Sequence, residues 1–315
     1  MGKEKVKQHV VPQSYLKRFA KKIPTGKGYR IGVRQLNSNN VFLKSVREVA
    51  IEKNYYDVSN MGDTKFWENF FSTEIEPQYG NEMTNIISTI MLSRKKVNVL
   101  TNAQIEALAK LIAFQILRVP EFLEARFEGG KEIYDDVIEQ ITSIIGSLNK
   151  NYLNVISELN SNKAQIIRDL TIGSIGELER LERLASYLIS NTWFFYINNS
   201  EIPFMTSDSP VIMYNLENKS LDYSQNGIGR NETFIYYPLT SKILLHIIPR
   251  DFMFGTIAKE NNSIHPLSNR EIKFINSVNN FQMRHANKQV FIHPDNIDLL
   301  KKVALPFSKK QKRKK

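Results

Sequence analysis

The chain has 315 residues, of which 42% are hydrophobic and 24% charged, and this length can bury a sizeable core. It contains no cysteine, which excludes disulfides and thiolate metal sites, and no apolar run approaches the ~20 residues that a membrane span needs. The net charge is +11, of which residues 308–315 carry +6, so the rest of the chain carries +5. This balance fits polyanion binding or a solvated tail. The first residues lack the apolar stretch of a signal peptide, so we expect a cytoplasmic protein.

The N-terminal residues 8–58 predict a small β element. A short helix follows Pro12, which suits a first helical turn. Strands at Tyr29–Leu36 and Val41–Val46 are separated by four polar residues that predict a hairpin, and residues 54–58 are expected to add a third strand. His9 precedes the short helix. Its imidazole is a candidate general base or metal ligand, or alternatively a capping group.

The pattern of residues 63–190 changes to a helical period and predicts a central helical layer or bundle. Pro77 is expected to break or kink the first apolar stripe. Thr101 or Asn102 can cap a helix that continues to Val119. Further helices are expected at about 133–148, 152–170 and 178–188.

Residues 191–307 return to strand patterns and predict a mostly antiparallel sheet with one helix. The expected strands are 192–198, 211–214, 233–237, 243–248 and 289–293, and the helix runs from about 268 to 287. The predicted fold class is therefore α+β, with residues 1–307 forming one domain. Residues 308–315 are expected to be a disordered basic tail.

Gln115 and Arg118 are the most informative polar pair, because they lie three residues apart on an otherwise apolar helix. Such a helix is expected to be buried, and a buried guanidinium must be paired. Glu76 and Asp208 are the candidate partners. The pair can be a structural link between helix and sheet, or Arg118 can bind a phosphate or carboxylate in a bidentate manner.

The segment Pro203–Pro210 places Asp208 between two strands, among short polar side chains that favour a rigid turn. Asp208 with Glu217 and Lys219 has a nuclease-like spacing, although residues 215–220 are more typical of a solvated hairpin turn. The histidines show no metal-binding spacing, and the chain has no phosphate-binding loop, serine nucleophile elbow or dinucleotide fingerprint.

Several motifs occur together along the chain: a His-x-x-Pro-x-x-Tyr-Leu-x-x-Phe opening from His9, Gln115-x-x-Arg118-x-Pro120, and Thr-Ser-Asp-x-Pro from Thr206. With Glu76, Asn279 and Pro238-Leu239, they resemble a bacterial family catalogued as domain of unknown function 4238. The resemblance covers residues 8–293 and implies one shared scaffold. It also implies that His9, Glu76, Gln115, Arg118 and Asp208 belong to one pattern, and hence to one polar cluster.

The predicted function is a nucleic-acid-acting hydrolase, a nuclease that serves as an effector in bacterial conflict or phage defence. His9, Glu76, Arg118 and Asp208 are the predicted catalytic residues, with His9 as acid or base and the two carboxylates orienting the others or binding Mg²⁺ or Mn²⁺. Predicted substrate contacts are Tyr15, Gln115, Ser207 and Asn279. RNA or DNA is the expected partner. The alternative is a non-catalytic module that binds nucleic acid or a small molecule.

Overall fold

The computed structural model describes residues 7–24, 26, 28–38, 40–53, 55–56, 69, 73, 76–145, 152–174, 178–223, 226–253 and 260–302. Across these residues the fold is α+β, as predicted, with helices in the middle of the chain and sheets built from both ends. The predicted tail and much of the first apolar stripe lie outside the described residues.

The N-terminal part forms short strands around one hairpin. Its elements are β1 (Lys7–His9), α1 (Gln13–Leu16), β2 (Lys21–Lys22), β3 (Tyr29–Gln35), β4 (Val41–Ser45) and β5 (Ile51–Lys53). The predicted β3–β4 hairpin is confirmed. The third strand was placed too late, because β5 pairs with β1 through His9 and Ile51, and Tyr55 and Tyr56 already lie in a turn.

The helical middle contains α2 (Glu76–Leu92), α3 (Asn102–Arg118), α4 (Pro120–Ile145), α5 (Tyr152–Ser161), α6 (Lys163–Gly173) and α7 (Leu178–Ile189). Thr101 caps α3 as predicted, because its hydroxyl accepts the Gln104 amide and Gln104 reaches back to the Thr101 amide. Pro77 lies in the first turn of α2, where a missing amide is tolerated. The helix expected at 152–170 is two helices that meet at Asn162.

The C-terminal part contains β6 (Thr192–Asn198), β7 (Thr206–Ser207), β8 (Ile212–Asn215), β9 (Thr233–Pro238), β10 (Ile243–Ile248), β11 (Ser263–Leu267), α8 (Ile272–His285), β12 (Gln289–Ile292) and α9 (Ile297–Lys302). Its main sheet has the order β11-β6-β10-β9-β8 and is antiparallel except for β11, which pairs parallel to β6. β12 is not part of this sheet and instead pairs with β3 and β7. The two ends of the chain therefore share one sheet.

The main sheet is covered on both faces. Trp193 and its same-face neighbours pack into a core with Ile112 of α3 and Ala185 of α7, whereas Phe194, on the opposite face, packs with Ile275 and other residues of α8. This alternation follows from the strand period of two, and it fixes α3 on one side of the sheet and α8 on the other.

Candidate functional site

Arg118 ends α3 and is buried, with 1% of its side chain exposed. Its Nη2 donates to the His9 carbonyl at 2.6 Å, and its Nε donates to the Tyr56 hydroxyl at 3.2 Å. Both Nη atoms contact Glu76 Oε1, at 3.4 and 3.5 Å. The predicted carboxylate partner is therefore Glu76. The Glu76 side chain is 21% exposed, so the Glu76 end of this long ion pair is accessible to solvent.

Gln115 lies one turn earlier on α3 and is also fully buried. Its amide Nε2 donates to the carbonyl of Val10 at 3.2 Å. Gln115 and Arg118 thus hold two adjacent carbonyls, of the last residue of β1 and of the residue after it. Their three-residue spacing explains this, since both side chains project from one face of the helix.

The His9 imidazole lies beside Arg118 and is held neutral. Burial and the Arg118 charge lower the pKa of His9 to about 4, and only a hydrogen bond to the backbone of Arg47 raises it. A hydrogen bond that raises the pKa of an imidazole is one in which the ring is the donor. The ring proton of His9 therefore lies on the other ring nitrogen and not on Nε2. Nε2 is buried and has no hydrogen-bond partner among the described residues, which leaves its lone pair free to accept a proton.

Four buried polar atoms on residues 9–18 and α3 have no hydrogen-bond partner in the part of the chain that the structure describes. They are His9 Nε2, Ser14 Oγ, Arg18 Nε and Gln115 Oε1. Buried polar atoms in proteins are nearly always bonded to protein or water, so this local concentration calls for an explanation. It indicates a region that water or a polar ligand can satisfy.

Two residues of this region were missed in the sequence. The side chain of Gln8 is fully buried and accepts the Tyr56 amide at 2.7 Å, and the Tyr56 hydroxyl accepts from Arg118. The Tyr56 ring also lies 5.6 Å from the guanidinium carbon. Tyr56 belongs to the pair of tyrosines after β5, which was interpreted as part of a strand.

Asp208 has a different environment from the other predicted catalytic residues. Its carboxylate accepts the backbone amides of Asn287, Lys288 and Gln289 at 2.9, 2.7 and 3.0 Å. Burial raises the pKa of Asp208 to about 6, although these three bonds lower it, so the group is ionised at neutral pH. Arg118 is not among the partners of Asp208 within the described chain. The carboxylate fastens the turn between α8 and β12.

Asn279 binds the same loop from α8. Its side-chain oxygen accepts the Met205 amide at 2.8 Å, and its side-chain nitrogen donates to the Pro203 carbonyl at 3.0 Å. Asn279 also lines a surface cleft of about 310 Å³, which continues along Ile202, Met205, Asn276, Asn280, Leu299 and Lys302. Its amide is nevertheless committed to the loop backbone.

Ser207 and Tyr15 are likewise engaged in the interior. The Ser207 hydroxyl donates to Gln282 Oε1 at 2.7 Å. The Tyr15 hydroxyl donates to the Pro238 carbonyl at 2.6 Å, so the Thr206 hydroxyl, 2.7 Å away, donates to Tyr15. Both residues are fully buried. We assign them to joining α1, β7, β9 and α8, together with Asp208 and Asn279.

The candidate nuclease spacing beyond Asp208 belongs to a turn, as the alternative interpretation expected. The Asn215 side chain accepts the amides of Glu217 and Asn218 at 3.0 and 3.2 Å. Lys219 has a positive φ of 55°. These features define a tight polar turn after β8.

His246 is a second buried histidine, in the middle of β10. Neither ring nitrogen has a hydrogen-bond partner among the described residues, and the ring stacks on Tyr236 with centroids 4.3 Å apart. Burial lowers the pKa of His246 to about 3. The unfolded chain therefore binds a proton below pH 6.5 that the folded chain does not.

We expect His246→Phe to reduce the acid sensitivity of the fold. A lowered histidine pKa makes the free energy of unfolding fall as the pH drops below about 6.5, so the wild type loses about 2 kcal/mol through this residue between pH 7 and pH 5. Urea unfolding at both pH values measures this loss. Any change in packing caused by the substitution affects the free energy of unfolding equally at both pH values and cancels in the difference. An unchanged pH dependence would contradict the expectation.

The comparisons with known proteins agree with the resemblance seen in the motifs. The chain belongs to the family described as protein of unknown function (DUF4238), whose model matches residues 7–296. Comparison with curated proteins and with solved structures gives no match. Among the helices that the structure describes, none is long and apolar enough to cross a membrane.

Proposed function

We propose that the protein is a nucleic-acid-acting hydrolase whose active centre comprises His9, Glu76, Gln115 and Arg118, hereafter the His9 centre. The observation that carries this proposal is the neutral imidazole of His9, which lies beside the Arg118–Glu76 pair and whose Nε2 bonds to none of the described residues. A base, a cation and a part-exposed carboxylate are groups that can catalyse phosphodiester hydrolysis.

In the proposed reaction a substrate phosphate displaces Glu76 from Arg118. The Arg118–Glu76 contacts are long compared with the 2.6 Å bond from Arg118 to the His9 carbonyl, so this exchange keeps the guanidinium in place. His9 Nε2 takes a proton from the attacking water, whose oxygen forms the new bond to phosphorus. The bond between phosphorus and the leaving oxygen breaks, and that oxygen takes a proton from solvent.

A divalent cation is part of the proposal. The described residues contain no group of three His, Asp or Glu side chains that could hold a metal ion. Mg²⁺, however, is often bound through one or two carboxylates together with substrate phosphates and water. Glu76, freed from Arg118 by the substrate, is the carboxylate that we assign to Mg²⁺ or Mn²⁺.

We expect His9→Gln to lower the turnover of RNA or DNA cleavage by about 10²-fold or more, since a general base typically contributes 10²–10⁴-fold. Cleavage is measured with each substrate, with and without Mg²⁺ or Mn²⁺. His265→Gln is the matched control, because His265 lies in β11 and bonds to Ser263. Wild-type activity in His9→Gln would contradict the proposal, as would a wild type that cleaves neither substrate under any of these conditions.

A non-catalytic binding module is the second candidate. It is supported by the bonds that commit Arg118 to the His9 carbonyl and the Tyr56 hydroxyl, as expected for a structural ion pair. The cleft beside Asn279 adds a small-molecule version of this candidate. In either version the wild type binds its ligand without cleaving RNA or DNA.

The proposed setting is the bacterial cytoplasm, where a nuclease of this kind would act as an effector in bacterial conflict or phage defence. Phage plating on bacteria that express the wild type or His9→Gln tests this setting. Protection by the wild type alone would support it, and equal plating on both strains would oppose it.

A further inference from the structure

Positive charge is concentrated at the N-terminal end of the chain. Residues 1–53 hold thirteen Lys and Arg against three Glu, a net charge of +10. Since residues 308–315 add +6, residues 54–307 carry −5. The basic character of the protein therefore belongs to its first 53 residues and its tail, not to the helical middle or the main sheet.

Two lysines of the N-terminal β element lie on one face of its sheet, and a third, Lys17, lies in the 3₁₀ turn that follows α1. Lys22 pairs with Tyr29, and Lys44 pairs with Ile31, so both side chains share the face of Tyr29 and Ile31. The ammonium group of Lys17 lies 5.5 Å from the centre of the Tyr29 ring. We call this set, with Phe42, the lysine–aromatic rim.

The aromatic rings of the rim are only partly buried. Tyr29 and Phe42 pack against the core with one side and stay partly exposed at the edge of the sheet. The ammonium group of Lys44 lies 4.9 Å from the centre of the Phe42 ring. Cations interleaved with accessible aromatic rings are typical of surfaces that bind single-stranded nucleic acid.

The lysines of the rim have no carboxylate partners among the described residues. The described acidic residues nearest in sequence are already engaged: Glu48 accepts the Ser45 amide and Glu52 pairs with Lys288. In contrast, Lys21, beside the rim on the opposite face, pairs with Asp295. Lys17, Lys22 and Lys44 are thus available to an anionic partner.

The rim is continuous with the His9 centre. β4, which carries Lys44, leads directly into the 3₁₀ turn Val46–Glu48. The backbone of Arg47 in this turn hydrogen-bonds the imidazole of His9. A nucleic-acid strand bound along the rim would therefore extend toward His9.

We propose that the lysine–aromatic rim binds the phosphodiester backbone of single-stranded RNA or DNA and guides it to the His9 centre. The choice of nucleic acid as the partner rests on the proposed function, whereas the positive charge and the ring contacts of the rim do not depend on it. Lysines beside an edge strand also discourage pairing between sheets, and this role requires no nucleic acid.

The test is the salt dependence of oligonucleotide binding by a triple variant, Lys17→Gln with Lys22→Gln and Lys44→Gln. Loss of three phosphate contacts should lower the slope of log K against log salt by about 2, since each contact contributes about 0.7 on single strands. Affinity at low salt should fall at least about tenfold. The matched control replaces Arg94, Lys95 and Lys96 by glutamine, which removes the same charge from an exposed loop between α2 and α3.

Unchanged binding in the rim variant would overturn the inference, and so would an equal loss in both variants, because total charge alone would then explain it. Removal of residues 308–315 separates the tail from the rim. If the shortened chain binds like the full chain and the rim variant does not, the rim is the binding surface. Binding is measured in the His9→Gln background, so the rim can fail or succeed independently of hydrolysis.

Discussion

Replacing Arg118 by methionine should lower the free energy of unfolding by about 3 kcal/mol, because the change removes a buried charge that holds three other groups. The His9 carbonyl and the Tyr56 hydroxyl would lose their charged donor, and Glu76 would lose its partner. Methionine fills much of the same volume, so the loss reports the polar contacts and not an empty cavity. Urea unfolding at pH 7 measures the change.

Lys110→Met is the matched control for Arg118, since Lys110 lies on the same helix and pairs with Glu106 at the surface. Exposed pairs of this kind contribute about 0–1 kcal/mol. A loss in the Arg118 variant no greater than in the Lys110 variant would show that the buried cluster does not hold the N-terminal segment on α3.

Asp208→Ala should cost about 4 kcal/mol of unfolding free energy. Three backbone amides in the α8–β12 turn would lose a charged acceptor in a buried setting, where each such bond contributes about 1.5–3 kcal/mol and the losses are not additive. Asp208→Asn should cost less, because its side chain keeps one acceptor oxygen. Thermal or urea unfolding gives both values.

Asp298→Ala is the control for Asp208, because the Asp298 carboxylate is exposed and pairs with Lys301 within one turn. Its loss should fall within the usual range of surface substitutions, about 0.5 kcal/mol. If Asp208→Ala were equally mild, the carboxylate would not be fastening the turn, and a direct chemical role for Asp208 would regain support.

Much of the fold could be predicted from local patterns. The hairpin of β3 and β4, the capped helix α3 and four strands of the main sheet follow from side-chain periodicity and capping residues. Some elements that depend on distant partners were missed. β1 and β5 are three residues each and exist through pairing with one another, and β11 is stabilised by β6. No local signal distinguishes such strands from loops.

The candidate site was predicted in part. Burial of Arg118 and its pairing with a carboxylate follow from one polar position on an apolar helix, and Glu76 is confirmed as that partner. The backbone acceptors of Asp208 could not be predicted, because an amide has no residue-specific signature. For the same reason the hydrogen bonds from Asn279 to the loop backbone could not be predicted. The family pattern groups these residues on one scaffold, but it does not indicate which of them bond to the backbone.

The structure divides the predicted site residues into two groups. Tyr15, Ser207, Asp208 and Asn279 have their polar groups bonded to loops and strands in the interior. Around the His9 centre, by contrast, an imidazole nitrogen and an amide oxygen have no partner within the described ranges. We propose that the first group serves the fold alone, whereas the His9 centre, which Arg118 also holds in place, performs the chemistry.

The most direct measurement compares His9→Gln with Asp208→Asn, determining for each the unfolding free energy and the nucleic-acid cleavage per folded molecule. We expect His9→Gln to stay nearly as stable as the wild type while losing about 10²-fold in turnover. We expect Asp208→Asn to be less stable, with cleavage per folded molecule close to that of the wild type. Cleavage lost in Asp208→Asn but retained in His9→Gln would contradict the division and place the chemistry at the Pro203–Pro210 segment.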